Sequence, residues 1–312
     1  MNSANLLSPQ GAVRLNHWGV IRAQGPDAGS FLQGQLTQDV QQLDPHGARL
    51  AGFCTAKGRL LASLLVWRPE PEQFLMACST DLLAVTLKRL SMFVMRAKCK
   101  LSDGSELLTV YGLCGEAATA WLGADAPMVA GRCTAAAGGH ALRLNDVAAT
   151  ARYLLVLPSD AAAPALPALA MDAWLWLEVS SGVARIVAAT AEQFVPQMIN
   201  FELVGGVNFQ KGCYPGQEVI ARSQYRGSLK RRAFVVEPAA AAQPGQEVFH
   251  SADAAQPAGM VVNAASWGGA ELALVELKLA ALDGGSLHLG AADGPLLAFA
   301  AQPYPVNVDV TE

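Results

Sequence analysis

The sequence predicts an α+β protein whose C-terminal part is a small β-barrel or sandwich. In the first third, apolar residues recur at helical spacing in two segments, which indicates amphipathic helices. Short apolar runs bounded by turn residues lie between and after these segments, as is typical of strands. The tail holds several short strands punctuated by Gly-Gly and Asp-Gly. Together these patterns predict helices and sheets first and an all-β region last.

The predicted elements begin with a strand over 13–23 that ends at the turn Gly25-Pro26. A helix over 27–43 follows, because its large apolar residues share one side. These residues are Phe31, Leu32, Leu36, Val40 and Leu43. Three strands are predicted over 48–54, 59–67 and 73–79. A second helix begins at the cap signal Ser79-Thr80-Asp81 and carries Leu83, Leu87, Leu90 and Val94 on one side.

Later elements follow the same rules. Strands are predicted over 97–103, 106–113, 140–145 and 151–157. A helix is predicted over 161–176, where Pro164 and Pro167 limit its start. Residues 229–237 alternate as a strand, and 238–246 have the composition of a linker.

Composition and charge restrict the class of protein. The 312 residues are 52% hydrophobic and 15% charged, which predicts a compact protein of two or three domains. The net charge of −4 argues against generic binding to nucleic acid or an anionic membrane. The first residues do not predict a secretory signal, and the longest apolar stretch, Leu60–Trp67, is too short to span a bilayer. We therefore expect a soluble, cytoplasmic protein without membrane contact.

The six cysteines contain no C-x-x-C pair, so the sequence predicts no zinc or iron–sulfur ligand motif and no metal site. They are Cys54, Cys78, Cys99, Cys114, Cys133 and Cys213. In a long chain without a signal peptide they are expected to be reduced thiols, most of them in the core. Phosphate-loop, H-E-x-x-H and G-x-S-x-G motifs are also missing from the sequence.

The segment KGCYPGQEVIARSQYRG (211–227) is the strongest candidate site. Gly212 and Gly216 permit positive φ and a close approach of the backbone to a ligand, and a helix is expected to begin near Gln217. Cys213 would lie just before that helix and two residues from Lys211, and both features favour the thiolate. The alternative is a buried structural cysteine in a tight turn.

Basic residues are concentrated between 211 and 232, with one acid, Glu218, among them. They are Lys211, Arg222, Arg226, Lys230, Arg231 and Arg232. Such a run is either an ordinary solvated face or an anion-binding rim for carboxylates or phosphates.

The segment FVPQMINFELVGGVNFQKGCYPGQEVIAR (194–222) resembles the signature of the YgfZ family, folate-binding relatives of the glycine-cleavage T-protein, an aminomethyltransferase. FLQGQLTQDV (31–40) and CTAKGRLLA (54–62) match as well, so the resemblance covers most of the chain. It implies two interlocked α+β domains around a central channel plus a C-terminal β-barrel. The first two would occupy 1–232, one of them discontinuous (about 1–50 plus 115–232) around an inserted 51–114. The barrel would occupy 233–312.

The resemblance implies tetrahydrofolate, or another folate derivative, as the cofactor. The folate-site tryptophans of the family match Trp18 and Trp174, whose indoles could stack on a pterin. Within the motif, the further candidate folate-binding residues are Gly212, Tyr214, Gln217, Glu218 and Arg222.

Two departures from the T-protein pattern affect the expected chemistry. Ala62 and Ser63 stand where a T-protein has an acidic pair, so aminomethyl transfer and classical enzyme activity are not expected. Ser180 stands where relatives have a pterin-binding glutamate, and Glu178 lies two residues earlier.

The resemblance therefore implies a folate-binding accessory factor for assembly or repair of iron–sulfur clusters. It would support client proteins such as tRNA methylthiotransferases. Cys213 would be the reactive thiol, Lys211 its activator and Cys54 a possible partner thiol. One alternative is a folate-dependent aminomethyltransferase of the T-protein class. Another is a tRNA-binding module that uses the basic run from Arg222 to Arg232.

Overall fold

A computed structural model of the protein describes residues 9–225 and 229–306. Its helices are α1 (Ala28–Gln33), α2 (Thr80–Val94), α3 (Gly115–Leu122), α4 (Met171–Ser180) and α5 (Gln217–Tyr225). Short 3₁₀ turns cover Gly123–Asp125, Ala188–Thr190, Pro196–Ile199 and Leu279–Ala281. No helix within the described ranges has both the length and the hydropathy that crossing a membrane requires.

The strands form three sheets. The first eight are β1 (Gly11–Arg14), β2 (Trp18–Gln24), β3 (Ala48–Cys54), β4 (Leu60–Glu70), β5 (Gln73–Ser79), β6 (Lys100–Asp103), β7 (Leu108–Cys114) and β8 (Cys133–Ala136). The next eight are β9 (Gly139–Arg143), β10 (Arg152–Pro158), β11 (Arg231–Pro238), β12 (Glu247–His250), β13 (Asp253–Trp267), β14 (Ala270–Lys278), β15 (Leu287–Leu289) and β16 (Leu297–Phe299). The strand orders are β1-β7-β10-β9-β8, β3-β4-β5-β2-β6 and β15-β12-β13-β14-β11-β16.

The chain divides into two compact units, each assembled from distant segments. The first unit comprises Met1–Phe31, Gln41–Arg49 and Leu65–Leu177. The second comprises Leu32–Val40, Leu50–Leu64 and Glu178–Glu312. The boundaries expected from the sequence, near residues 50, 114 and 232, stay predictions.

The first unit contains the β1-β7-β10-β9-β8 sheet. Its β7 and β10 pair antiparallel over seven residues, from Arg152↔Cys114 to Pro158↔Leu108. Leu113, Tyr153 and Leu155 of these two strands pack with Ala118 and Leu122 of α3 in one apolar cluster. The sheet is therefore covered by a helix that the sequence analysis missed, because α3 is rich in alanine and carries few large apolar residues.

The second unit ends in the six-stranded sheet. An antiparallel bridge between His288 and Leu296 brings its two edge regions together, so the sheet is a nearly closed barrel. Val236, Val261 and Val275 are fully buried inside it. The segment 238–246, expected as a linker, connects β11 to β12 within this barrel.

Three predicted elements differ from the structure. The strand over 13–23 is two strands, β1 and β2, with a turn at Asn16-His17. The helix over 27–43 ends at Gln33, because the chain then turns and the N–H of Thr37 donates to the carbonyl of Gly52 at 2.9 Å. The helix over 161–176 begins only at Met171, since prolines precede it.

Candidate functional site

The loop that carries Cys213 is fixed by a contact between two glycines of the second unit. Gly216 has φ +83°, and a Cβ there would lie 2.5 Å from the carbonyl oxygen of Thr55 and 2.6 Å from the Cα of Gly58. Gly58 also has positive φ, and its own Cβ would lie 3.3 Å from the carbonyl oxygen of Gly216. The segments 54–62 and 211–222 therefore meet backbone to backbone, and side chains larger than hydrogen do not fit there.

Lys211 anchors the same loop from the other side. Its side chain is buried, and its Nζ donates to the carbonyl oxygens of Gln33 and, at 2.6 Å, Leu36. The ammonium therefore satisfies backbone acceptors at and just beyond the end of α1, where carbonyls lack helical partners. It also lies 4.9 Å from the ring centroid of Tyr214.

Burial has the largest influence on the pKa of Lys211. It lowers the pKa of the Lys211 amine to about 8, while the charges of Asp39 and Cys213 act in the opposite direction. A buried amine with a lowered pKa, next in the chain but one to an exposed cysteine, is a feature more common at functional sites than elsewhere.

The two candidate thiols have opposite surroundings. Cys213 is exposed, whereas Cys54 is 2% exposed and burial raises the pKa of its thiol to about 12. Burial, with a smaller contribution from Cys54, raises the pKa of the Tyr214 hydroxyl. Cys54 is therefore a protonated core thiol close to Tyr214, and all six cysteines are free.

The third matching segment, 31–40, reaches the loop that precedes Lys211. Thr37 Oγ1 donates to the carbonyl of Gly206 at 2.6 Å and accepts from the N–H of Gly52 at 2.7 Å. Gln38 Nε2 donates to the carbonyl of Gly205 at 2.6 Å. Within the second unit, the three sequence segments that matched one family are therefore bound to one another.

The other predicted residues of this motif differ in accessibility. Gln217 begins α5, and its Nε2 donates to the carbonyl of Lys211 at 3.3 Å. Glu218 and Arg222 are exposed on the same helix, whereas Tyr214 is buried. Gly212 does not use the positive φ that glycine permits, and a Cβ there would meet no atom within 4 Å. The backbone at Gly212 is thus open to an approaching molecule.

The two predicted folate-site tryptophans lie in the first unit. Trp18 begins β2 and is half-buried. Trp174 in α4 is fully buried, with its ring so close to β7 that a Cβ on Gly112 would lie 2.6 Å from it. The guanidinium of Arg152 lies 5.9 Å from the Trp174 ring centroid. Only Trp18 of this pair presents part of its surface to solvent.

The positions that depart from the T-protein pattern lie in the second unit. Ala62 is fully buried, and the Oγ of Ser63 accepts the N–H of Ile186 at 2.9 Å. Glu178 pairs with Arg185 at 3.3 Å, so its carboxylate already has a cationic partner. Neither 62 nor 63 offers a group that could act as a carboxylate base.

Two curated proteins are similar to this chain over most of its length. The chain is 35% identical over 244 residues to the "tRNA-modifying protein YgfZ" of Edwardsiella ictaluri (strain 93-146), covering 72% of this chain and 70% of that protein. The protein with the same name from Klebsiella pneumoniae (strain 342) is 32% identical over 251 residues, covering 78% and 76%. The chain belongs to the YgfZ family. No protein-family model matches it.

The YgfZ-family chain has the T-protein fold. Glycine cleavage system aminomethyltransferase T from Bartonella henselae superposes with a TM-score of 0.73, at 15% identity, over 95% of this chain and 87% of that one. This confirms the fold and the family expected from the sequence. The roles of individual site residues stay predictions.

The basic run of this YgfZ-family chain is not one continuous face. Arg232 is buried and paired with Glu202, and Arg231 is paired with the buried Glu276, with Nη2 and Oε2 2.9 Å apart. Lys211 is buried as well, as described above. The expectation of a single solvated face or anion-binding rim is therefore wrong for these three residues, and Arg226 lies outside the described residues.

Sequence reasoning missed a polar network and a pocket in the second unit. Asn200, with φ +56°, donates to the carbonyl of Ala233 at 2.7 Å and accepts from Arg232. A pocket of about 370 Å³ also lies in this unit. It is lined by Arg59, Gln193, Phe194, Met198, Arg231, Glu247, Gln256, Pro257, Gly259, Met260, Glu276 and Lys278. None of the predicted thiol or folate-binding residues lines it, although Arg231 of the basic run does. The one local signal was Asn200 itself, between Ile199 and Phe201, because asparagine adopts left-handed φ more often than most residues.

In the described ranges, 9–225 and 229–306, no group of three or more His, Cys, Asp or Glu side chains is placed to hold a metal ion.

Proposed function

We propose that this protein is a tetrahydrofolate-binding accessory factor for assembly or repair of iron–sulfur clusters, acting for tRNA-modifying iron–sulfur enzymes. Cys213 is its reactive thiol. The observation that carries the proposal is that Cys213 is exposed on a loop whose neighbours are fixed, whereas the other cysteines are buried or half-buried. The curated relatives are named as tRNA-modifying proteins, which supports the tRNA part.

The loop geometry supports a thiol that is presented for reaction. Lys211 and Tyr214 flank Cys213 and are both buried, and Gly216 is packed against the turn at Thr55 to Gly58. Such anchors hold the backbone while the sulfur remains accessible, which limits the entropy lost when a partner binds. The positive charge of Lys211 interacts electrostatically with Cys213, as an anionic sulfur would require.

The first unit supports folate binding in part. We assign the stacking contact with the pterin to Trp18, because it is accessible, and we give Trp174 the role of fixing α4 against β7. When bound, tetrahydrofolate supplies a carrier for one-carbon units. The roles predicted for Gly212, Tyr214, Gln217, Glu218 and Arg222 of the second unit stay predictions, and Tyr214 among them is buried.

The same proposal excludes aminomethyl transfer. Ala62 and Ser63 provide no carboxylate, and the Ser63 hydroxyl is engaged by the backbone of Ile186. Incubation with a methylamine-loaded carrier protein and tetrahydrofolate should therefore give no methylene transfer. We place the factor in the cytoplasm, where free cysteines persist.

Complementation of a bacterial strain that lacks its own YgfZ-family protein tests the thiol role. Cys213→Ala should leave the unfolding midpoint unchanged, because the side chain is exposed. It should nevertheless abolish restoration of methylthio-modified tRNA, measured by mass spectrometry. Cys99→Ala, which removes a half-buried thiol, is the matched control and should complement fully. Full complementation by Cys213→Ala would remove the thiol from the proposal.

Calorimetric titration with tetrahydrofolate tests the cofactor role. Trp18→Ala should weaken binding about tenfold or more, since one stacking surface is lost. Trp174→Phe should bind as the wild type does. Phenylalanine is preferred there because truncation of a fully buried tryptophan to alanine costs about 3–5 kcal/mol. Absence of tetrahydrofolate binding by the wild-type protein would refute the cofactor role and would leave the proposed thiol role of Cys213 unaffected.

A further inference from the structure

A second basic segment lies in the first unit, outside every site described above. Between residues 88 and 100 the chain carries five cations and no acid, in a protein of net charge −4. These are Lys88, Arg89, Arg96, Lys98 and Lys100. They begin in the second half of α2 and continue into the start of β6. We call these five residues, together with Phe93, the α2 surface.

The cations of the α2 surface face solvent. Four of the five are exposed and Arg89 is half-buried. None of them forms an ion pair with another residue of the described chain. This is the opposite of Arg231 and Arg232, whose charges are compensated internally. Uncompensated cations at this density attract a polyanion.

Apolar side chains are interleaved with these cations. Met92, Phe93 and Met95 are 68%, 46% and 87% exposed. They do not belong to the core-facing side of α2, which buries Leu82, Leu83 and Leu90. An exposed ring between flexible cations is suited to one kind of polyanion, because the ring can stack on a flat base while the cations neutralise phosphates.

We propose that the α2 surface binds single-stranded RNA, the cations on the phosphodiester backbone and Phe93 on an unpaired base. An acidic peptide could pair with the cations but has no planar base to stack on the Phe93 ring. An anionic membrane would require an apolar face larger than one ring and two methionines, because membrane anchoring increases with buried apolar area. The proposal does not depend on Cys213 or on folate.

Fluorescence anisotropy of labelled oligouridylate, roughly 16 nucleotides long, tests the proposal with the full-length chain. Wild-type affinity should fall steeply with salt. The triple variant Lys88→Glu, Arg96→Glu, Lys98→Glu should lose binding and reduce the slope of log K against log salt by about 2, since each phosphate contact contributes about 0.7. The triple variant Arg14→Glu, Lys57→Glu, Lys230→Glu makes the same charge change at exposed positions elsewhere and should retain the wild-type slope.

Phe93→Ala separates stacking from charge. It should weaken oligouridylate binding roughly tenfold and leave the salt slope unchanged. Circular dichroism of all variants verifies folding. Absence of wild-type binding, or equal losses in the two triple variants, would overturn the proposal. So would unchanged affinity in Phe93→Ala, or tighter binding at the same salt to polyglutamate or to phosphatidylserine vesicles than to the oligonucleotide.

Discussion

Replacing Gly216 by alanine tests the contact that fixes the Cys213 loop. Alanine at φ +83° lies in a left-handed conformation that costs about 1–2 kcal/mol for a residue with a Cβ. The new Cβ would also be 2.5 Å from the carbonyl oxygen of Thr55 and 2.6 Å from the Cα of Gly58. Both are backbone atoms, so relief requires a shift of the main chain, which costs about 1–3 kcal/mol more.

The expected net loss is about 1–5 kcal/mol of unfolding free energy, because alanine also lowers the entropy of the unfolded chain by the equivalent of up to about 1 kcal/mol. Urea unfolding followed by tryptophan fluorescence measures it. Gly212→Ala is the matched control in the same motif. Its Cβ would meet no atom within 4 Å, and Gly212 is not in the left-handed region, so its unfolding free energy should stay within about 0.5 kcal/mol of the wild type.

The pair of variants also gives a chemical readout. Gly216→Ala should change the rate at which iodoacetamide alkylates Cys213, since the loop is displaced, while Gly212→Ala should leave it nearly unchanged. If Gly216→Ala unfolds within about 0.5 kcal/mol of the wild type, the backbone contact between the two segments is not what holds this loop, and the geometric support for Cys213 fails.

Three further predictions concern buried polar groups of the second unit. Arg232→Met should lower the unfolding free energy by about 3–5 kcal/mol, because it leaves the buried Glu202 unpaired, and adding Glu202→Gln should recover part of that loss in urea unfolding. Burial lowers the pKa of Lys211 from 10.5 to about 8, so between these pH values the unfolded chain binds more protons. The stability of the wild type relative to Lys211→Met should therefore rise with pH in this window, by up to about 3 kcal/mol, and a flat difference in denaturation midpoints would contradict this. Tyr304→Phe removes the hydroxyl that donates to the carbonyl of Gly182 at 2.7 Å and should cost about 1 kcal/mol in the same unfolding assay.

Elements with strong local signals were predictable from the sequence. The helix α2 begins directly after its cap residue Ser79, where the cap signal and the apolar spacing place it. The expected helix over 27–43 had the same apolar spacing, and Leu32, Leu36 and Val40 are indeed buried. It is cut short because Thr37 bonds to Gly52, a partner fifteen residues away that periodicity does not report.

The candidate site was predictable where glycine conformation decides it. The positive φ and close backbone approach at Gly216 follow from properties of glycine itself, whereas the motif left open whether Cys213 is exposed or buried, and its reactive role stays a prediction. The binding of Lys211 to the carbonyl of Leu36 joins residues 175 positions apart. Nothing in the local sequence distinguishes such a lysine from one that faces solvent.

The two basic segments, 211–232 and 88–100, differ in whether acidic residues compensate their charges. Composition allowed 211–232 to be either a solvated face or an anion-binding rim, whereas Arg231 and Arg232 lie at the start of a barrel strand and pair with Glu276 and Glu202. The five cations between residues 88 and 100 form no ion pair within the described chain, and the Asp27 carboxylate beside them accepts the backbone N–H of Lys98 at 2.7 Å. Whether a basic run serves a ligand therefore depends on which acids the fold brings to it. By this criterion α2 is a better candidate for the proposed polyanion contact than α5 and β11.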